Sequence, residues 1–445
     1  HKLDIQVEAM TFKLGENNVR FEMSKGINQT SKALFESANF YADRKYTGLQ
    51  GIDEINPINV VFYYTQFTKS DEFKLEDLAD YMKKPLEQVK AMLSNLAANG
   101  FILFNSATNI ALAKPKLKEF LAARSGKKDY DGIIINSEVN ATANAKMDMK
   151  NGDLTIYGVN EVVVSATKNV RIYPFDKKVI VKKGLDFVFT GRVHGGYFEF
   201  YANKCSFEYD KFKLNMPVID SMNFVVKSFQ PDKEGHYNLE PVRSSIQNLS
   251  GDLLIDSISN KSGSKNYPQY PIFTSKTNSF VYYDRKDILD GAYPKDKFFY
   301  TVLPFKLDSL NNISTNGIAF KGALTAGELF SKIEEPIKVQ PDYSLGFVKK
   351  VPPAGLPVYG GKGMFYENIT LSNNGLKGNG RLSVYSSVSE SNNFIFFSDS
   401  LSAFASKFTM AGQASPVVYP SVVGELVTQK WIIAQDLMLV TNAKD

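Results

Sequence analysis

The sequence predicts a mainly β protein, a β-solenoid-like stack of short strands carrying a small inserted α-helical domain. Three observations carry this reading. Apolar pairs fall at Leu154/Ile156, Val162/Val164, Val170/Ile172, Val179/Val181 and Phe187/Phe189, and their starts step by 8, 8, 9 and 8 residues. Such alternation marks strands with one buried face. Between residues 53 and 126 the period changes to the three-and-four spacing of amphipathic helices. The chain also holds 33 Phe and 23 Tyr among 445 residues, and stacked rings suit a narrow β core.

Residues 1–52 alternate at Leu3, Ile5, Val7, Phe12, Leu14, Val19 and Phe21, with Gly15-Glu16-Asn17-Asn18 as a turn. They read as β structure joining the solenoid. In 53–126, Pro57 stands at a first helical position ahead of Val60-Val61-Phe62-Tyr63-Tyr64. Leu75, Leu78, Ala79 and Met82 form one helical face, and Leu86, Val89, Leu93, Leu96 and Ala97 form another. Asn99-Gly100 is a stop signal. Phe101 to Phe104 and Ile110 to Leu112 read as a hairpin, and Pro115 opens a last helix with Leu117, Phe120 and Leu121. Three helices and a two-stranded wing give this segment the order of a winged helix, which it resembles.

Residues 127–229 read as solenoid coils. Three steps make 25 residues, so Leu154 is expected one coil from Val179, and Val162 one coil from Phe187. A longer match supports repetition: Phe189-x-Gly191-x-Val193-x-x-Gly196 recurs as Phe320-x-Gly322-x-Leu324-x-x-Gly327. Leu376-x-Gly378-x-Gly380-x-Leu382 is a looser echo. Glycine at such points marks a neighbouring strand that leaves no room for a Cβ. Residues 230–297, with Ser262-Gly263-Ser264-Lys265-Asn266 and prolines at 268, 271 and 294, read as an irregular, loop-rich insertion. Residues 298–445 read as coils again, with turns such as Ser372-Asn373-Asn374-Gly375.

Composition removes several chemistries. One cysteine, Cys205, cannot form an intrachain disulfide, and no CxxC pair exists. The histidines are only His1, His194 and His236, so no His-based metal site or triad is expected. Cys205 lies in a strand-like stretch and reads as a small buried hydrophobe. No apolar run approaches the roughly 18 residues that span a bilayer. The chain begins at His1 without a recognisable signal peptide, as a trimmed mature protein or a fragment would. Net charge is +5, and only eight of the 52 basic residues are Arg. A lysine-rich balance suits a solvated surface better than a reader of bases.

The candidate sites are few. From Lys74 to Lys128 ten basic and five acidic residues give +5, but extending the count to Asp53 lowers it to +2. The outward face of the would-be recognition helix is Glu87, Gln88, Ala91, Ser94, Asn95 and Ala98, with no Arg. Phosphate contacts there would rest on Lys83, Lys84 and Lys90. Asp252 and Asp256 would stand about 13 Å apart along a strand, too far for a glycosidase pair. Asp284, Asp287 and Asp290 read as a solvated turn without the glycine-bearing loop of an EF-hand. Gly360-Gly361-Lys362-Gly363 fails the spacing of a phosphate loop, and Met364 occupies the hydroxyl position. Tyr267 and Tyr270, in a Pro-punctuated loop, would stack on sugar rings or fasten the loop.

Two passages, Asp153 to Gly196 and Asn373 to Ser400, together with Asp129-Tyr130-Asp131 after the insert, resemble very large, uncharacterised, β-helical envelope proteins of Bacteroidota. The resemblance implies an extracytoplasmic place (periplasm, outer membrane or cell surface) and a structural or assembly role. It supplies no catalytic residues. The expectation is therefore a non-enzymatic scaffold of a bacterial cell envelope, working through protein partners or further coils, with no cofactor. Lys83, Lys84, Lys90, Tyr267 and Tyr270 are its candidate interaction residues. The alternatives are a β-helix that binds or cleaves polysaccharide, and nucleic-acid binding through the winged-helix-like insert.

Overall fold

The computed structural model describes residues 1–23, 32–51, 54–139 and 143–442. The protein is mainly β, with 47% of residues in strands and 15% in helices. The expected boundary at Asp53 lies outside the described residues. Two compact units are interleaved along the chain. One comprises His1–Gly196, Asn203–Met216 and Leu253–Ile272; the other comprises Tyr197–Ala202, Pro217–Asp252 and Phe273–Asp445.

All five expected apolar pairs lie in strands, and all ten side chains are buried. Their pairing corrects the expected register. Strand Leu154–Tyr157 runs antiparallel to Lys178–Val181, so Leu154 faces Val181 and Ile156 faces Val179. Val162 faces Ile172 on one side and Ile135 on the other, again antiparallel. Neither expected coil-on-coil pair forms. A step of eight residues equals a short strand plus a tight turn, so it serves an antiparallel meander as well as a coil.

The glycine repeat has a structural counterpart. In the first unit the strands are Leu154–Tyr157, Val162–Ser165, Val170–Pro174, Lys178–Val181 and Phe187–Gly195. The first pairs with the fourth, the second with the third, and the third with the fifth. Strands Ile272–Ser275, Ser279–Tyr282, Phe298–Val302, Lys306–Leu307 and Gly322–Ala326 repeat this scheme. In both sets one residue of the third strand, Ile172 or Tyr300, sits between a valine of the second and the Val193 or Leu324 position of the fifth. The repeated motif thus marks two copies of one strand arrangement. Residues 230–297, expected to be irregular, carry four strands, two of which belong to the second copy.

The second unit ends in a meander of long hairpins, Gly363–Ser372, Gly375–Val384, Ser387–Phe396, Ser400–Met410, Val422–Ile432 and Leu437–Asn442. Gly375 turns the first hairpin at φ 94°, a conformation that favours glycine. Aromatic rings fill the β core as expected: Phe187 lies 4.7 Å from Phe207 in one unit, and Phe198 lies 5.0 Å from Phe224 in the other.

The insert begins ahead of the expected boundary, inside the segment 1–52 expected to be β, and among the described residues it holds five helices: α1 (Asp43–Gln50), α2 (Pro57–Thr68), α3 (Leu75–Met82), α4 (Leu86–Ala98) and α5 (Pro115–Arg124). The Asn56 side chain accepts from the Ile58 amide at 3.0 Å, and Pro57 follows at the first helical position, which starts α2. Lys83 in the left-handed region ends α3, and Gly100 at φ 77° follows α4. A strand Glu72–Lys74 joins the expected hairpin, now Ile102–Asn105 and Ile110–Ala113, in the order first, third, second. The sequence reading missed α1 and this strand. Both pack into the insert's core, through Tyr46 and Leu49 of α1 and through Phe73, alongside Ile58, Val61, Leu78, Leu93 and Phe120.

Candidate functional site

The insert is fixed to the β strands by buried charge. Asp4 and Glu36 come from strands Leu3–Gln6 and Lys32–Ser37, Lys45 from α1, and Lys116 from α5. Glu36 accepts from Lys45 at 2.6 and 2.7 Å and from Lys116 at 2.9 Å, while Lys116 also donates to Asp4. Burial lowers the Lys45 pKa, opposed by its bond to Glu36. Two ammonium groups and two carboxylates leave the cluster neutral, the condition under which buried charge is tolerated.

A second clasp forms where the chain leaves the insert. Asp129 accepts from the Lys261 and Ser262 amides at 2.7 and 3.2 Å. Tyr130 packs edge-on against Tyr41, 4.9 Å between centroids. Asp131 is buried and accepts from Tyr209 Oη at 2.6 Å, Ser37 Oγ at 2.8 Å and the Ile133 amide at 3.0 Å. Burial raises its carboxyl pKa even so, and burial likewise raises that of the Tyr209 phenol. The Asp-Tyr-Asp run is therefore structural.

On this anchored insert, several large apolar side chains face water. Phe67 is 75% exposed, Tyr63 and Ile55 are 61% exposed, and Tyr81 is 46% exposed. The rings of Phe67 and Tyr81 stack at 6.0 Å, and Tyr81 also lies 5.0 Å from Tyr64. A groove of about 540 Å³ is lined by Ile55, Val60, Tyr63, Tyr81 and Met82, with Glu54 and Lys84 as its charged members. Exposed large apolar side chains clustered in this way are characteristic of a contact surface. A warning of it was available in the sequence. The run Val60 to Tyr64 is apolar all round its helix, more than one buried face can use.

The predicted residues separate. Lys83 and Lys84 form the turn between α3 and α4, and Lys84 reaches the groove. Lys90 lies one turn into α4, half-buried. The expected outward face of α4 is exposed at every one of its six positions, and it carries Glu87 and no Arg. Tyr267 and Tyr270 are half-buried elsewhere in the same unit. The Tyr267 carbonyl accepts from Lys168 at 2.7 Å and from the Tyr270 amide at 3.2 Å, which fastens the loop. The structure does not bring these tyrosines to the insert's groove.

The other candidates resolve into structure. Asp256 is buried and accepts from Asn260 at 3.0 Å, while Asp252 pairs with Lys276 at 2.8 Å. Asp287 pairs with Arg285 at 2.8 Å in a turn. Gly360 and Gly361, at φ 66° and 86°, turn a hairpin from which Lys362 reaches Asp436 at 2.5 Å. His194 Nε2 bonds Asn169 Nδ2 at 2.9 Å. Among the described residues no group of three or more His, Cys, Asp or Glu side chains converges on a metal position, and no helix is long and apolar enough to cross a membrane. Compared with family models, curated proteins and solved structures, the chain matches none.

Proposed function

We propose that the chain is a non-enzymatic docking and scaffold module of a bacterial cell envelope, and that the helical insert makes its protein–protein contacts. The observation that carries this reading is the exposed ridge of Tyr63, Phe67 and Tyr81 on an insert locked to its β support. Rigid display of apolar side chains lowers the ordering cost of association. The envelope setting rests on the resemblance of residues 153–196 and 373–400. The scaffold is proposed as large antiparallel sheets rather than as a parallel coil, since the ladders run antiparallel.

The test compares the full chain with a Tyr63→Ser/Phe67→Ser variant as bait for a bacterial envelope extract, read by mass spectrometry. The expected result is a defined set of proteins retained by the parent and lost from the variant, with melting temperatures within about 2 °C, as surface changes allow. Equal retention by both, or glycan hydrolysis by the purified chain, overturns the proposal.

A further inference from the structure

A second groove, of about 580 Å³, lies between α2 and α5. Its lining carries three large apolar side chains, Phe62, Leu121 and the exposed Tyr63, which also borders the first groove, beside the polar Asn59 and Ser125. Its rim is cationic. Lys118, Arg124 and Lys127 line it and all three are exposed. Among the described residues Asp43 is the one acidic lining residue, and its carboxylate is engaged by the Tyr41 hydroxyl at 2.5 Å. Arg124 is held in place, its guanidinium 3.8 Å from the centroid of the Tyr46 ring. Lys118 meets Asp71 at 2.9 Å, but both partners are about half exposed, and such a pair is readily exchanged for another carboxylate.

We infer that this groove receives an acidic amphipathic segment of a partner protein, with apolar side chains on the Phe62–Tyr63–Leu121 floor and carboxylates meeting Lys118, Arg124 and Lys127. The inference rests on the docking reading above and adds the chemistry of the partner. An apolar strip flanked by cations matches a helix with apolar residues at i, i+3 or i+4 and i+7 and with Asp or Glu beside them. The floor is firm, because α2 and α5 are anchored from behind by the buried Ile58, Val61, Leu117 and Phe120. A nucleic-acid duplex is a poorer match. Its phosphates would satisfy the rim but its stacked, paired bases would leave the aromatic side chains uncovered, and the outward face of α4 offers no Arg for base edges.

The experiment selects binders for the full chain from a displayed library of random peptides of about 16 residues, long enough for four helical turns. The counter-screens are Tyr63→Ser, Lys118→Glu/Arg124→Glu/Lys127→Glu and its milder form Lys118→Gln/Arg124→Gln/Lys127→Gln, each checked for an unchanged melt. The expected pool is rich in Asp and Glu around helically spaced apolar residues. Its members should bind the charge variants on the order of tenfold more weakly, with an affinity that falls as salt rises. Binders that depend on Tyr63 but are neutral or basic overturn the acidic partner while leaving the docking reading intact. Failure to enrich any peptide that distinguishes the parent from Tyr63→Ser overturns both. Retention of a short DNA duplex at low salt, lost in the charge variants, replaces the inference with nucleic-acid binding.

Discussion

Gly191 and Gly322 occupy the same place in two copies of one strand arrangement. Gly191 pairs with Pro174 and Gly322 with Val302, each at the end of a third-to-fifth strand ladder. A Cβ on Gly191 would stand 2.4 Å from the Tyr173 carbonyl oxygen, and one on Gly322 would stand 1.9 Å from that of Thr301. Five residues further on, Gly196 and Gly327 turn the chain at φ 64° and 58°. Two glycines per copy thus do two jobs: the first admits a close backbone and the second takes a left-handed turn.

That close approach gives a first prediction. Gly191→Ala and Gly322→Ala must push a neighbouring carbonyl aside, which costs about 1–3 kcal/mol as overpacking. Gly48 is the contrast. It lies inside α1 with open space where a Cβ would go, so Gly48→Ala should stabilise by about 0.5–1 kcal/mol. Urea denaturation of the three variants beside the parent checks both signs. Equal stability of Gly322→Ala and the parent would refute the close-packing account.

How much of this was legible in the sequence depends on the property concerned. Alternation at Leu154/Ile156 or Val179/Val181 reports which side chains turn inward, and burial follows it at all ten positions. It does not report the partner strand, because an eight-residue step fits a meander and a coil equally, and the pairing of Ile156 with Val179 had to come from the fold. α2 to α5 announce themselves by Pro57, Pro85, Pro115 and helical spacing. α1 does not, since DRKYTGLQ offers only Tyr46 and Leu49 and contains Gly48; tertiary contacts hold it instead. The cluster of Asp4, Glu36, Lys45 and Lys116 joins residues up to 112 positions apart, and no local pattern marks its members. The glycine repeat was visible, yet its meaning required the ladders. Of the candidate residues Lys84 borders the groove beside the ridge; Tyr63 belongs to the apolar run Val60 to Tyr64, and Phe67 follows it after Thr65 and Gln66, outside any pattern that marks a surface.

The buried charge cluster predicts a sharp contrast between two lysines of one helix. Lys116 is 8% exposed and bridges Asp4 and Glu36, whereas Lys118 is 46% exposed and meets the half-exposed Asp71. Lys116→Met leaves a carboxylate without its counter-charge and should cost about 3–5 kcal/mol. Lys118→Met should change stability by less than about 1 kcal/mol. Chemical denaturation followed by circular dichroism measures both, and comparable losses would contradict the assignment of the cluster as the anchor.

Asp131 predicts a pH dependence with a definite sign. Burial raises its folded-state pKa above the ordinary 3.8, outweighing the bonds from Tyr209, Ile133 and Ser37 that favour the anion. The folded state therefore binds the proton more tightly than the unfolded chain. As pH falls through the raised folded pKa towards 3.8, this residue's contribution to stability grows, and as pH rises through that window it is lost. The slope from one such group is at most about 1.4 kcal/mol per pH unit. Other carboxylates titrate in the same range, so the informative quantity is the difference between parent and Asp131→Asn. The parent should gain on the variant as pH is lowered from 7 towards about 4, and a flat or opposite difference would exclude the raised value.

Cys205 offers a reporter for the strands around it. It is fully buried in Phe198–Glu208, and burial pushes its thiol up to about 12. At pH 8 the reactive thiolate is then about one part in ten thousand, and a reagent must also reach it. Labelling by an aromatic disulfide should be negligible in the native protein and should rise only with the cooperative unfolding transition in urea. Cys205→Ala keeps the site apolar, whereas Cys205→Ser buries a hydroxyl there and should be less stable than the alanine variant by about 1–3 kcal/mol. Fast labelling under native conditions, well below the unfolding midpoint, would show instead that this strand opens locally and that Cys205 is available for chemistry.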